Sequence, residues 1–222
     1  METEQINKGY VAIVGSREAS LDELELMIRL GRTYTDHGYG DSSGDAFGSD
    51  KAGWWGAKQS RRYVEVGARI YLVDSWRNRK RCEENDFFYI ANDFTENWTV
   101  AESIACKARG GWGGIEGPQK QFSRDLHTRN VFQIMGHCLK HPVKTVILSA
   151  TPKRNDTVSG GTNTAYQVAK MCGVETIINL ATPEGFKWAE DFLAGHELDY
   201  PYVEIDWRQI LKPDDPRLEH LT

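Results

Sequence analysis

The chain has 222 residues, 40% of them hydrophobic and 27% charged, with a net charge of −5. That length suits one large domain or two small ones, and the composition is that of an ordinary globular chain. The acidic balance argues against a protein that coats nucleic acid non-specifically, although a local basic patch is compatible with it. No apolar run approaches the ~20 residues of a membrane span. The polar start from Met1 to Lys8 lacks the apolar core of a signal peptide, so the expectation is a cytoplasmic chain without membrane contact. Cys82, Cys106, Cys138 and Cys172 form no C-x-x-C pair, so no metal site is expected. Three of them sit in apolar or helical patterns, where a buried free thiol is the simpler reading.

Tyr10 to Val14 is an apolar run ending in Gly15-Ser16-Arg17, the pattern of a buried parallel strand and a tight turn. Ser20 and Glu23 form a capping box, and the helix they open runs to His37-Gly38. Tyr39 to Ser43 reads as a short polar strand, placed by the glycine turn that follows it through Gly44, Asp45 and Gly48. A helix is expected from about Asp50 to Tyr63, and a strand from Ala68 to Val73. The charged and aromatic stretch 76–98 interrupts the strand–helix rhythm and reads as an insertion. Thr99 and Glu102 predict a second capping box, with a helix to about Lys107. The glycine-rich loop of about 109–118 carries Trp112 and reads equally as a linker or as a mobile lid whose indole stacks on a base.

The longest helix is expected from Lys120 to Leu139, stopped by His141-Pro142. It places Phe122, Leu126, Arg129, Gln133 and Gly136 on roughly one face. A buried strand from Val143 to Ala150 leads through Thr151 into the loop Ser159-Gly160-Gly161-Thr162-Asn163-Thr164, which opens a helix closed by Gly173. A last strand, Val174 to Leu180, and a helix from about Pro183 to Leu193 follow. Residues 1–200 form one domain in this reading, and 201–222 a tail with little regular structure after about Gln209.

Five strands alternating with helices predict an α/β fold, a mainly parallel sheet with helices on both faces. Ligands of such sheets bind at the carboxyl ends of the strands, near the switch in strand order. Three glycine-bearing turns fall at such ends, after Val14, Ser43 and Ala150. Glycine lets backbone approach a phosphate closely, and the first N–H groups of a helix point at it. By itself a Gly-Gly-Thr turn is equally well a plain loop; the three turns together point to a phosphate-bearing ligand.

Three blocks resemble the SLOG superfamily, which includes the DprA/Smf DNA-processing proteins and the LOG-type phosphoribohydrolases. Val14-Gly15-Ser16-Arg17 is similar to the first-strand turn of the DprA branch. Ser43-Gly44-Asp45-Ala46-Phe47-Gly48-Ser49-Asp50 is similar to that branch's Ser-Gly-x-Ala-x-Gly-x-Asp loop. His127 and Arg129, with Gly160 to Thr164, resemble the paired LOG motifs. The resemblance implies a Rossmann-like, doubly wound sheet of about five or more strands with a nucleotide pocket. It implies homo-oligomers and single-stranded DNA on the DprA side, and release of a base from a nucleoside monophosphate on the LOG side. Gln167 stands where LOG proteins carry a catalytic glutamate, and Asn163 where they carry glycine. An amide cannot act as a carboxylate base. That tilts the reading from hydrolase to binder, unless Asp45 or Glu116 supplies the carboxylate.

The expected ligand-binding set is Gly15, Ser16, Arg17, Ser43, Gly44, Asp45, Gly48, Arg129, Asn130, Thr151, Gly160, Gly161, Thr162, Asn163 and Thr164. Arg129 is read as a phosphate or ribose contact, since a planar guanidinium suits oxyanions, and would be the catalytic residue of an enzyme. His127 is read as a structural hydrogen-bonder, and Asp45 as a ribose contact or a helix cap. Trp54 and Trp55 are assigned to packing, and the Arg77–Arg81 cluster to a solvated face. The function expected is capture of an ADP-ribose-like or cyclic nucleotide signal, for sensing or sequestration, with no further cofactor required. DprA-like single-stranded DNA binding and LOG-like hydrolysis are the alternatives.

Overall fold

The computed structural model describes residues 7–114, 117–118 and 120–221. Glu116 therefore lies outside the described residues. In chain order the strands are β1 (Tyr10–Gly15), β2 (Gly40–Ser43), β3 (Ala68–Leu72), β4 (Phe88–Ile90), β5 (Gly113–Gly114), β6 (Gly117–Pro118), β7 (Thr145–Ser149), β8 (Pro152–Lys153), β9 (Thr157–Val158) and β10 (Thr176–Asn179). The helices are α1 (Leu21–Asp36), α2 (Ser49–Gln59), α3 (Tyr63–Val66), α4 (Trp76–Glu83), α5 (Thr95–Arg109), α6 (Gln121–Met135), α7 (Thr162–Met171), α8 (Pro183–His196) and α9 (Trp207–Ile210).

Six strands form one sheet in the order β10-β7-β1-β2-β3-β4, and every pairing in it is parallel. The chain steps outward from β1 through β2, β3 and β4, then returns to the other side of β1 with β7 and β10. This is a Rossmann-like α/β fold, with its order reversing between β1 and β7. Alternation along β1 divides the core. Val11 and Ile13 pack with α1 and α8, whereas Ala12 and Val14 face the α5–α6–α7 side. The capping box opens α1 as expected: the Ser20 side chain accepts from the Glu23 N–H, and the Glu23 carboxylate from the Ser20 N–H.

Several boundaries differ from the sequence reading, each for a local reason. The segment 76–98 is no interruption: it supplies α4 and β4, the edge strand. The helix expected over 50–63 ends at Gln59, because Ser60 turns extended and its hydroxyl donates to Asp36 (2.6 Å). Helix α5 begins at Thr95, so Thr99 and Glu102 lie inside it. Phe94, packed against Phe132 and His137, anchors that start, and the Asn97 and Trp98 N–H groups bond to its carbonyl. Helix α6 stops at Gly136, whose φ of 73° ends it before the proline is reached. The region after Gln209 is not structureless. A 3-10 turn spans Pro216–His220, and Ile210 and Leu211 are buried in the α1–α8 core. The cysteines are free, with Cys138 exposed and the other three half-buried rather than fully enclosed.

Candidate functional site

A cleft of about 440 Å³ opens at the carboxyl ends of β1 and β7, where the strand order reverses. The β1 turn forms one wall. The Ser16 N–H donates to the Ser149 carbonyl (2.7 Å), tying the end of β1 to β7. A Cβ on Gly15 would lie 2.7 Å from both that carbonyl and the Ser49 hydroxyl, so glycine is the residue the junction admits. Ser16, Arg17 and Glu18 continue the wall, Arg17 and Glu18 exposed at its rim. The opposite wall is Ser159-Gly160-Gly161-Thr162, the loop between the β8–β9 hairpin and α7. Gly160 takes a φ of 67°, which turns the backbone so that the amino end of α7 faces the cleft. Helix α6 crosses the floor with Leu126, His127, Arg129, Asn130 and Gln133.

At the base sits a buried ion pair. Arg129 is 7% exposed, and its Nη1 donates to the Tyr71 carbonyl (3.3 Å) and stands 3.9 Å from Asp50 Oδ2. Its Nε has no acceptor among the described residues. Burial lowers the Arg129 pKa, and Asp50 and Asp45 oppose that shift without cancelling it. Burial likewise raises the Asp50 pKa against the pull of Arg129 and of three backbone N–H groups. The guanidinium is thus under-compensated by the protein, a state that an incoming anion relieves. Gly44 makes room for it, since a Cβ there would fall 1.1 Å from Arg129 Nη1.

Asp50 ties the site together. Its carboxylate accepts from the N–H groups of Gly15 (3.3 Å), Gly44 (3.0 Å) and Ala46 (3.5 Å) and from Gln133 Nε2 (3.3 Å). One side chain therefore joins the ends of β1 and β2 to α6. His127 Nδ1 lies 2.9 Å from Thr164 Oγ1 and 3.4 Å from Arg109 Nη1. Burial first, then the charges of Arg109 and Arg129, push its pKa down to about 4, so the ring is neutral at pH 7. Trp112 sits near this edge, 6.4 Å from the His127 ring, with the Arg124 guanidinium 5.2 Å from its own.

Of the expected set, Gly15, Ser16, Arg17, Arg129, Asn130, Gly160, Gly161 and Thr162 line the cleft. Asn130 Nδ2 also donates to the Gly161 carbonyl (3.2 Å), linking floor to wall. Thr164 and Gly44 stand behind the surface, one holding His127 and the other making room for Arg129. The rest are elsewhere. Asp45 is buried and paired with Lys51 (2.9 Å) and Arg81, so neither a ribose contact nor a simple cap describes it. Gly48 packs against the Ser16 carbonyl and Arg17, and its N–H donates to the Ile210 carbonyl (2.8 Å). Ser43 is enclosed beneath the sheet end, Thr151 is exposed outside the lining, and the Asn163 amide oxygen accepts from the Val158 N–H (3.1 Å).

Phe122, expected on the inward stripe, is 64% exposed. Gln167 turns away to the Asp156 carbonyl (2.9 Å). Within the Arg77–Arg81 cluster, Arg79 pairs with Asp74 and Asp93, and Arg81 reaches Asp45. Asp50 and Gln133 are functional candidates that the motif reading passed over. Their signal is present in the sequence, as the last residue of the second glycine block and as the residue one helical turn after Arg129. Among the described residues there is no helix long and apolar enough to cross a membrane and no cluster of metal-ligating side chains.

No protein-family model matches this chain, and no curated protein matches it. Among solved structures, DNA processing protein A from Helicobacter pylori is similar over 85% of this chain and 81% of its own, at 14% identity and a TM-score of 0.32. That structure describes a single-stranded DNA binding mode for that protein; a likeness of this strength carries no argument about what the present chain does.

Proposed function

We propose that the switch-point cleft binds a nucleotide-derived ligand, of the ADP-ribose or cyclic nucleotide kind, for sensing or sequestration. The observation that carries this reading is the buried Arg129 guanidinium, with its Nε unpartnered, set between the β1 turn and the amino end of α7. A phosphate there gains the helix end, the glycine backbone and a charge-assisted hydrogen bond together. The cleft volume falls in the range of small-molecule sites, ~300–1,000 Å³. Binding is favoured over hydrolysis because Gln167 is turned outward and the Asp50 oxygens already accept from four donors. A carboxylate so occupied is poorly placed to take a proton from water.

Titration calorimetry of the folded protein against AMP, ADP, ADP-ribose and a cyclic dinucleotide tests the idea. Saturable heat with at least one of them, lost in Arg129→Gln, is expected. Heat with none of them would remove the reading. Release of free base during the titration would move it to a hydrolase, and salt-sensitive binding of an oligothymidylate alone would move it to single-stranded DNA.

A further inference from the structure

The opposite end of the sheet carries a second concavity, of about 750 Å³, between the amino ends of β1, β7 and β10. Its charge runs against that of the whole chain. Lys8, Arg69, Lys140 and Lys144 line it, with His141, and Glu175 is the one carboxylate in the lining. None of the four cations takes part in an ion pair among the described residues. Arg69 is half-buried and oriented: its guanidinium lies over the Tyr10 ring, 3.8 Å from the centroid, and close beside Gly136. The Lys144 stem lies along Gly9, and its N–H donates to the Tyr10 carbonyl (2.7 Å). The cations are thus gathered on a framework of strand starts rather than scattered over a solvated face.

We infer that this groove is an anion site for a compact oligophosphate, a group of two or three linked phosphates. Several unpaired cations in one concavity raise the local concentration of a multiply charged anion. The charge pattern along the amino edge of the sheet selects compact over extended anions. In sheet order the charged residues ahead of the strands are Glu175 before β10, Lys144 before β7 and Lys8 before β1. The lead-in of β2, His37-Gly38-Tyr39, carries no carboxylate or lysine; Glu65, in α3 and paired with Arg62, precedes β3, and Asp86 precedes β4. Positive charge occupies the middle of the row and negative charge both flanks. A polymer tracking that edge would meet the carboxylates of the β3–β4 side beyond the groove as well as Glu175, whereas an anion confined to the groove meets Glu175 alone among carboxylates. The inference is independent of the cleft at the other end of the sheet.

The test is a titration of the isotopically labelled full chain with sodium tripolyphosphate, followed by amide shifts. Saturable shifts at Gly9, Lys144 and Gly173 are expected. The affinity should fall at least about tenfold in a Lys8→Gln/Lys144→Gln double variant, the loss of a charge-assisted contact or more. The shifts should persist in folded Arg129→Gln, whose altered residue lies at the other end of the sheet. Both lysines are exposed, so the double variant should keep the native unfolding midpoint. Arg69→Gln is a second probe that should weaken binding in the same way. Shifts confined to Gly15 and Gly160–Thr162, affinity unchanged in the double variant, or no saturation would each overturn the inference. So would an oligothymidylate that displaces tripolyphosphate with an affinity rising with its length.

Discussion

At the scale of single residues, the cleft depends on the Asp50 carboxylate, which accepts from four donors and faces Arg129. Asp50→Asn leaves one acceptor oxygen for the Gly15, Gly44, Ala46 and Gln133 donors and strips Arg129 of its counter-charge. Breaking one side of a buried pair is costly, so the unfolding free energy should drop by about 3 kcal/mol in a urea titration. His127 carries a pH signature. Its folded pKa of about 4 lies below the ordinary 6.5, so between those values the unfolded chain binds more protons than the folded one. Stability from this residue is complete above pH 6.5 and is lost as pH falls toward 4. The buried carboxyl of Asp50 is shifted upward and acts in the opposite sense, favouring the folded state as pH falls. The His127 part is therefore read by difference: His127→Gln should lose less stability than the parent between pH 6.5 and pH 4. Denaturant midpoints at the two pH values measure it.

At the scale of elements, helices α1 and α2 approach closely because glycines line their contact. A Cβ on Gly56 would lie 1.8 Å from the Ile28 carbonyl oxygen, and one on Gly31 2.2 Å from the Gly53 carbonyl oxygen. In an exposed helix Gly→Ala is stabilising by ~1 kcal/mol. At Gly56 the sign should reverse, because backbone atoms cannot move aside as a side chain can, and a lowered unfolding midpoint is expected. Since α2 also carries Asp50, the same variant should weaken the ligand binding proposed for the cleft, which calorimetry would record.

At the scale of the whole molecule, the carboxyl-terminal segment is part of the fold. The Arg32 guanidinium is 1% exposed and lies 3.7 Å from the ring centroids of both Tyr200 and Tyr202. Its Nη2 donates to the carbonyls of Leu198 (3.2 Å) and Tyr200 (2.6 Å). Farther on, Ile210 and Leu211 fill the core beside α1. Removing residues 198–222 would expose Arg32 and forfeit those two aliphatic chains, each contributing about 2 kcal/mol. The thermal midpoint should fall by roughly 10 °C, read by circular dichroism.

Much of the architecture was legible along the chain, because it rests on local physics. The apolar runs over β1, β3 and β7, the Ser20–Glu23 box and the glycines at strand ends each declare a strand, a helix start or a turn within a few residues. The same features placed Gly15, Arg129 and Gly160 at one site. Boundaries such as the start of α5 were not legible, since Phe94 anchors it through contacts with α6 that have no local signature. The short β4 hid among charges because an edge strand has little apolar pattern to show. The folded tail was hidden as well, because its prolines and aspartates look like a loop until Arg32 and the α1 core supply its partners. Sequence determined where glycine-bearing turns follow the strand ends. Tertiary structure alone decided that Asp45 is turned to Lys51 and Arg81, that Asp50 joins the turns, and that unpaired cations meet at the far end of the sheet. Those outcomes depend on distances between residues remote in the chain, which closure of the sheet creates.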